Sequence, residues 1–149
     1  MMLKETYTLA NGVKIPKLGL GIWFIDDDKA AEAMKLGYRL VDTAQAYGNE
    51  RGVGEGIRTC GAAREDLFAA SKVAAEWKIY DEATKSIDET LEKMGLSYLD
   101  QMIIHSPQPW AEFRVEKRYF EENKAVWYVI QLGDVALPKT ANPARMASN

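Results

Sequence analysis

Tyr38-Arg39-Leu40-Val41-Asp42-Thr43-Ala44-Gln45-Ala46-Tyr47-Gly48-Asn49-Glu50, carried on to Leu67-Phe68-Ala69-Ala70-Ser71-Lys72-Val73, is the stretch on which the fold turns. Residues 38–42 and 67–73 are short apolar runs and read as strands. Between them, residues 49–59 place Val53 and Ile57 four apart, on one face of a helix. Gly52, Gly54 and Gly56 lower the helical propensity of that segment, so its assignment rests on the spacing. Strand, helix and strand in this order predict two parallel strands joined by a right-handed crossover.

The same rhythm extends in both directions. Upstream, Lys17-Leu18-Gly19-Leu20-Gly21-Ile22-Trp23 reads as a strand. Asp26-Asp27-Asp28 offers an acidic helix start, and residues 30–36 a helix closed by Gly37. Downstream, Asp81 is positioned to cap a helix that runs to Met94 and stops at Gly95. Ile87, Leu91 and Met94 form its expected apolar stripe. Residues 98–104 are the next strand, ending at His105. A loop over 106–117, a helix over 119–132, a short strand at 135–137 and a helix opened by Asn142-Pro143 complete the pattern. Near the start, Asn11-Gly12 between alternating runs in residues 7–16 predicts a two-residue β-hairpin. The fold class is therefore α/β with parallel strands, preceded by a hairpin.

Composition agrees with one folded domain spanning residues 1–149. Hydrophobic residues make up 47% of the 149, enough to bury a core, and four Trp, seven Tyr and four Phe argue against disorder. A net charge of -3 gives no electrostatic reason to expect nucleic acid or an acidic membrane surface as partner. No run approaches the ~20 apolar residues that span a bilayer, and residues 1–5 lack a signal-peptide core. The single cysteine, Cys60, excludes an internal disulfide. These features together predict a cytoplasmic protein. One His and one Cys leave a zinc site to be made mostly of carboxylates, which zinc sites seldom are. Gly19-Leu20-Gly21 begins like a dinucleotide fingerprint, but Phe24 stands where the third Gly belongs.

Parallel strands present their ligand-binding groups at their carboxyl ends. Asp42, Lys72 and His105 each fall at such an end, on three different strands, and Tyr47 lies five residues past one. Reduction of a carbonyl by hydride leaves an alkoxide that needs a proton. A phenol with pKa ~10 holds its proton at neutral pH, and a neighbouring ammonium lowers that pKa. Tyr47 is thus the candidate acid, Lys72 its modulator, Asp42 the partner that holds Lys72, and His105 the group that orients the carbonyl oxygen. Taken singly, an Asp-Lys pair reads as a surface ion pair, and a lone His or Tyr as a packed residue. Their corresponding positions in one strand-helix series favour the site. Farther on, Leu137-Pro138-Lys139-Thr140 leads into Asn142-Pro143-Ala144-Arg145, a helix start flanked by basic residues. Such a start can bind an anion or be an ordinary capped helix.

These segments resemble the aldo-keto reductase family. Val41-Asp42-Thr43-Ala44-Gln45-Ala46-Tyr47-Gly48-Asn49-Glu50 is similar to its catalytic Asp and Tyr motif, Ser71-Lys72-Val73 to its Lys strand, and Ile103-Ile104-His105-Ser106-Pro107 to its His strand. The resemblance implies a TIM-barrel fold, (β/α)8, that uses NADPH to reduce aldehydes or ketones. It also implies that Gly21, Ile22 and Trp23 approach the cofactor and that Trp23, Trp77 and Trp110 line the substrate pocket. Lys139, Thr140, Arg145 and Asn149 correspond to the segment that holds the adenosine 2'-phosphate. The resemblance runs in two blocks, residues 3–127 and 128–149, and the family's fifth to seventh strands have no counterpart between them. A complete barrel takes ~250 residues, so the expectation is a barrel-type parallel sheet of about five strands. Its open edges predict that the chain either rearranges into an open sheet or assembles with a second copy, a homo-oligomer. The alternative is a non-catalytic remnant that binds nucleotide or a partner, since hydride transfer needs the nicotinamide held at near-attack distance.

Overall fold

The computed structural model describes residues 4–77 and 79–105. The expected helix at 119–132, the strand at 135–137, the helix from 142, and Trp110, Lys139, Thr140, Arg145 and Asn149 lie outside the described residues.

A hairpin of β1 (Thr6–Thr8) and β2 (Lys14–Pro16) comes first. Four parallel strands follow in the spatial order of the sequence: β3 (Gly19–Gly21), β4 (Leu40–Asp42), β5 (Phe68–Val73) and β6 (Gln101–Ile104). Helices α1 (Asp27–Lys35), α2 (Glu50–Thr59) and α3 (Tyr80–Met94) form the crossovers between them. The sequence-derived series is therefore correct over these residues, with strands shorter than their apolar runs. No helix of the described residues is long and apolar enough to cross a membrane.

The hairpin loop departs from expectation. The last ladder pair is Thr8–Lys14, and Leu9 N–H donates to Val13 O at 2.8 Å. Gly12 N–H donates to Leu9 O at 2.9 Å, closing a turn over Ala10 and Asn11, and Gly12 itself sits at φ +83°. The connection is a three-residue loop in which glycine takes the left-handed position, the geometry that adds a bulge. Asn11 turns its side chain inward instead, accepting from Val13 N–H at 3.1 Å.

Strand alternation creates two apolar layers. Leu18, Leu20, Ile22, Val41 and Ala69 point toward the helices and pack with Ala30, Ala33, Met34, Val53, Ile57 and Met94. Leu40, Phe68 and Ala70 point the other way, under Ile15 and Tyr7 of the hairpin. The hairpin thus covers the amino ends of β4 and β5 and leaves their carboxyl ends clear.

Two helix faces differ from the sequence expectation. On α3 the buried positions are Ser86, Thr90 and Met94, while Ile87 and Leu91 are only partly buried. The reason is a tertiary one, because Ser86 and Thr90 meet Gln45. Asp81 lies inside the first turn of α3 instead of capping it, and Gly95 ends the helix at φ +63° as expected. On α2 the glycines are close-packing sites. A Cβ at Gly56 would come within 2.8 Å of Ala31 Cα, one at Gly52 would collide with Asp27, and one at Gly54 with the Met94 carbonyl. The helix is thereby seated against α1 and α3 at backbone distance.

Gly54→Ala tests this seat. Alanine raises intrinsic helix propensity by ~1 kcal/mol, yet the midpoint of thermal unfolding followed by circular dichroism is expected to fall. A raised midpoint would show that the α2–α3 approach is loose.

Candidate active site

The register of β4 and β5 builds the site. Leu40 opposes Phe68 and Asp42 opposes Ala70, so period-two alternation puts Asp42 and Lys72 on the same face, away from the helices. Lys72 Nζ donates to Asp42 Oδ2 at 2.6 Å and to Thr43 O at 2.8 Å. Both side chains are largely withdrawn from water, at 12% and 14% exposure. A charge pair so placed keeps its hold only when its remaining donors are also used, and the Thr43 carbonyl takes one of them. On β6 the register opposes Lys72 with Ile103. His105, two residues on, therefore returns to the face of Lys72, and its N–H donates to Val73 O at 3.1 Å.

Tyr47 reaches the pair from the side. It ends a short 3-10 turn, Gln45–Tyr47, directly after β4 and before Gly48 at φ +70°. Its hydroxyl lies 3.4 Å from His105 Nε2, and the two rings meet edge to face at 5.3 Å. Lys72 Nζ stands 5.1 Å from the centre of the Tyr47 ring. Trp23 completes the cluster, 6.3 Å from the Tyr47 ring and stacked on Phe24 at 4.4 Å. The four polar residues read as a site from the sequence are thus together, with Trp23 beside them.

The other candidates take different places. Gly21 ends β3 in register with Asp42. Ile22 donates its N–H to Asp42 O at 3.1 Å and buries its side chain in the core. Trp77 stands 43% exposed in the loop after β5, outside the ring cluster of Trp23, Tyr47 and His105. Phe24 holds φ +57°, the one non-glycine residue with positive φ among those described.

The electrostatics correct one expectation. Tyr47 is pushed up to about 12, first by burial and then by the Asp42 carboxylate. The lowering expected from Lys72 does not appear, because that ammonium is neutralised at 2.6 Å by Asp42. His105 is held below the ordinary imidazole value of 6.5, first by burial and then by Lys72, against opposing pulls from Asp42 and Glu76. At neutral pH the site therefore presents a protonated phenol beside a neutral imidazole.

Several residues that hold this geometry were missed from the sequence. Asn49 is 3% exposed, donating through Nδ2 to Ile22 O at 2.7 Å and Ile25 O at 2.8 Å and accepting from Thr43 Oγ1 at 2.7 Å. It clasps the loop that carries Trp23 to the loop that carries Tyr47. The sequence counts it as the first residue of the helix over 49–59, whereas it precedes α2 and its side chain makes no capping bond. Buried Glu50 accepts from Ser71 Oγ at 2.9 Å, tying the start of α2 to β5. Ser71 inside an apolar strand was the available hint, since a buried hydroxyl requires a partner.

Comparison with known proteins shows the family and the fold. The Aldo/keto reductase family profile matches residues 17–141, across both blocks distinguished in the sequence. The chain is 44% identical to a glyoxal reductase of Bacillus subtilis over 70% of its own length and 40% of that protein's. It is 43% identical to an NADPH-dependent aldose reductase of Saccharomyces cerevisiae, over 78% of its length and 38% of the other's. Among solved structures, an aldo/keto reductase of Brucella melitensis superposes with TM-score 0.68 at 41% identity, covering 73% of this chain and 43% of that one. An aldo-keto reductase from a deep-sea metagenome, at 19% identity and TM-score 0.79 over 96% of this chain and 87% of that one, shares the fold. The chain spans less than half the length of the two curated relatives named here. With the family match over residues 17–141, the chain belongs to the aldo/keto reductase family.

Proposed function

We propose that the protein reduces aldehydes or ketones to alcohols with NADPH, Tyr47 delivering the proton. The observation that carries this reading is the convergence of Tyr47, His105 and the Asp42–Lys72 pair at the carboxyl edge of one parallel sheet. The 3.4 Å between Tyr47 Oη and His105 Nε2 is long for a hydrogen bond, so a carbonyl oxygen can accept from the phenol while neutral His105 orients it.

The residues present at this edge suit a nicotinamide cofactor. Asp42, the carboxylate that would repel an anionic ligand, is neutralised by Lys72. Gly21 and Trp23 offer backbone and an aromatic face at the same edge. Bound NADPH supplies the hydride. Gly21, Ile22 and Trp23 would flank it, and Lys139, Thr140, Arg145 and Asn149 would hold its 2'-phosphate. Trp23, Trp77 and Trp110 would form the apolar wall for the substrate. As charge develops on the substrate oxygen, Tyr47 gives up its proton to that oxygen and a phenolate is left behind. The phenol's high pKa keeps it protonated well past neutrality, so reduction shows no loss from its ionisation there. Lys72 acts by holding Asp42, the partner that otherwise raises the cost of phenolate formation.

Two measurements follow. NADPH oxidation with a reactive aldehyde is expected to occur, and Tyr47→Phe to lower kcat/KM by about 10²- to 10⁴-fold. NADPH binding with no turnover would identify a nucleotide-binding remnant, and turnover unchanged by Tyr47→Phe would remove the acid from Tyr47. The single histidine gives one imidazole resonance to follow by proton NMR. Its midpoint is expected below 6.5 and should rise in Lys72→Met, where a cation that lowers it is gone and Asp42 remains. A midpoint that falls would contradict the electrostatic account.

A further inference from the structure

We infer that Gln45 is a positioning residue for Tyr47, an inference that rests on the proposed role of Tyr47 as the acid. Gln45 opens the 3-10 turn that Tyr47 ends. Its Oε1 accepts from Ala74 N–H at 2.8 Å. Its Nε2 donates to Ser86 O at 2.9 Å and reaches Ser86 Oγ and Thr90 Oγ1, both at 3.1 Å. The amide orientation follows from these partners, because a backbone N–H faces one end and acceptors face the other. Ser86 and Thr90 spend their own protons on Ala83 O and Ser86 O, leaving their oxygens to accept. Ala74 follows Lys72 by two residues. One side chain therefore joins the turn that carries Tyr47, the strand end that carries Lys72, and α3.

Among the described residues the turn has few other hydrogen bonds to hold it. None of its three residues is buried, Tyr47 N–H to Ala44 O at 3.0 Å is its internal bond, and Gly48 follows in the left-handed conformation. Downstream, Asn49 spends its side chain on Thr43, Ile22 and Ile25. Gln45 is thus the upstream clamp on a phenol whose use depends on its distance from His105. A displacement of ~1 Å is enough to cost about 10²-fold in rate.

Gln45→Met keeps the length of the side chain and removes its hydrogen bonds. The variant is first shown to be folded by circular dichroism and thermal unfolding. The His105 imidazole resonance then reports where the Tyr47 ring stands, since that ring meets it edge to face at 5.3 Å. The resonance is expected to move toward its position in Tyr47→Ala, and kcat to fall by about 10- to 100-fold with the KM for NADPH little changed. A folded Gln45→Met protein with an unmoved His105 resonance overturns the inference, whether or not the wild-type chain turns over. Lack of turnover in the wild type together with a moved resonance upholds the clamp and refutes the proposed function instead. Should Gln45→Met fail to fold, Gln45→Glu keeps the acceptor for Ala74 and removes the donors to α3; the same shift is expected, and its absence is equally decisive.

Discussion

The site depends on one ion pair, Lys72 with Asp42, and that pair depends on the register of two parallel strands. A slip of one residue between β4 and β5 would turn one of the two side chains into the helix layer. The register is protected from both faces, by Val41 and Ala69 under the helices and by Leu40, Phe68 and Ala70 under the hairpin. Backbone bonds hold it at either end, Phe68 N–H donating to Arg39 O at 2.6 Å and Thr43 N–H to Ala70 O at 2.9 Å. The core thus specifies which groups meet at the edge.

The pair in turn governs the phenol. A free ammonium near a tyrosine favours the phenolate, but an ammonium already matched by a carboxylate adds little net charge. Burial then dominates, and Tyr47 is pushed up to about 12. The phenol therefore keeps its proton well past neutrality. His105 is tuned the opposite way by the same surroundings and stays neutral. Burial beside a compensated charge pair therefore sets the protonation state of both groups, a protonated phenol and a neutral imidazole.

Much of this order could be read from the chain, and the failures have a common cause. Strands, crossovers and the Gly95 stop are local or periodic, and they emerged in the expected order. The cluster of Asp42, Lys72 and His105 was visible because strand ends share an edge. What stayed hidden was set by distant partners. Ser86 and Thr90 look like solvent positions on α3 until Gln45 arrives from 41 and 45 residues away. Asn49 looks like the first residue of a helix and is a clasp between two loops. Gly52, Gly54 and Gly56 look like weak helix and are contact points with neighbouring backbone. The Tyr47 shift runs opposite to expectation because Lys72, matched by Asp42, leaves burial to set it.

A double-mutant cycle over Asp42→Asn and Lys72→Met, read as kcat/KM for aldehyde reduction with NADPH, tests the dependence of the site on that pair. Residues that act as one unit lose their effect together. The double variant is expected to lose no more activity than the worse of the two single variants. Losses that simply add, or a wild-type chain without turnover, would contradict the account.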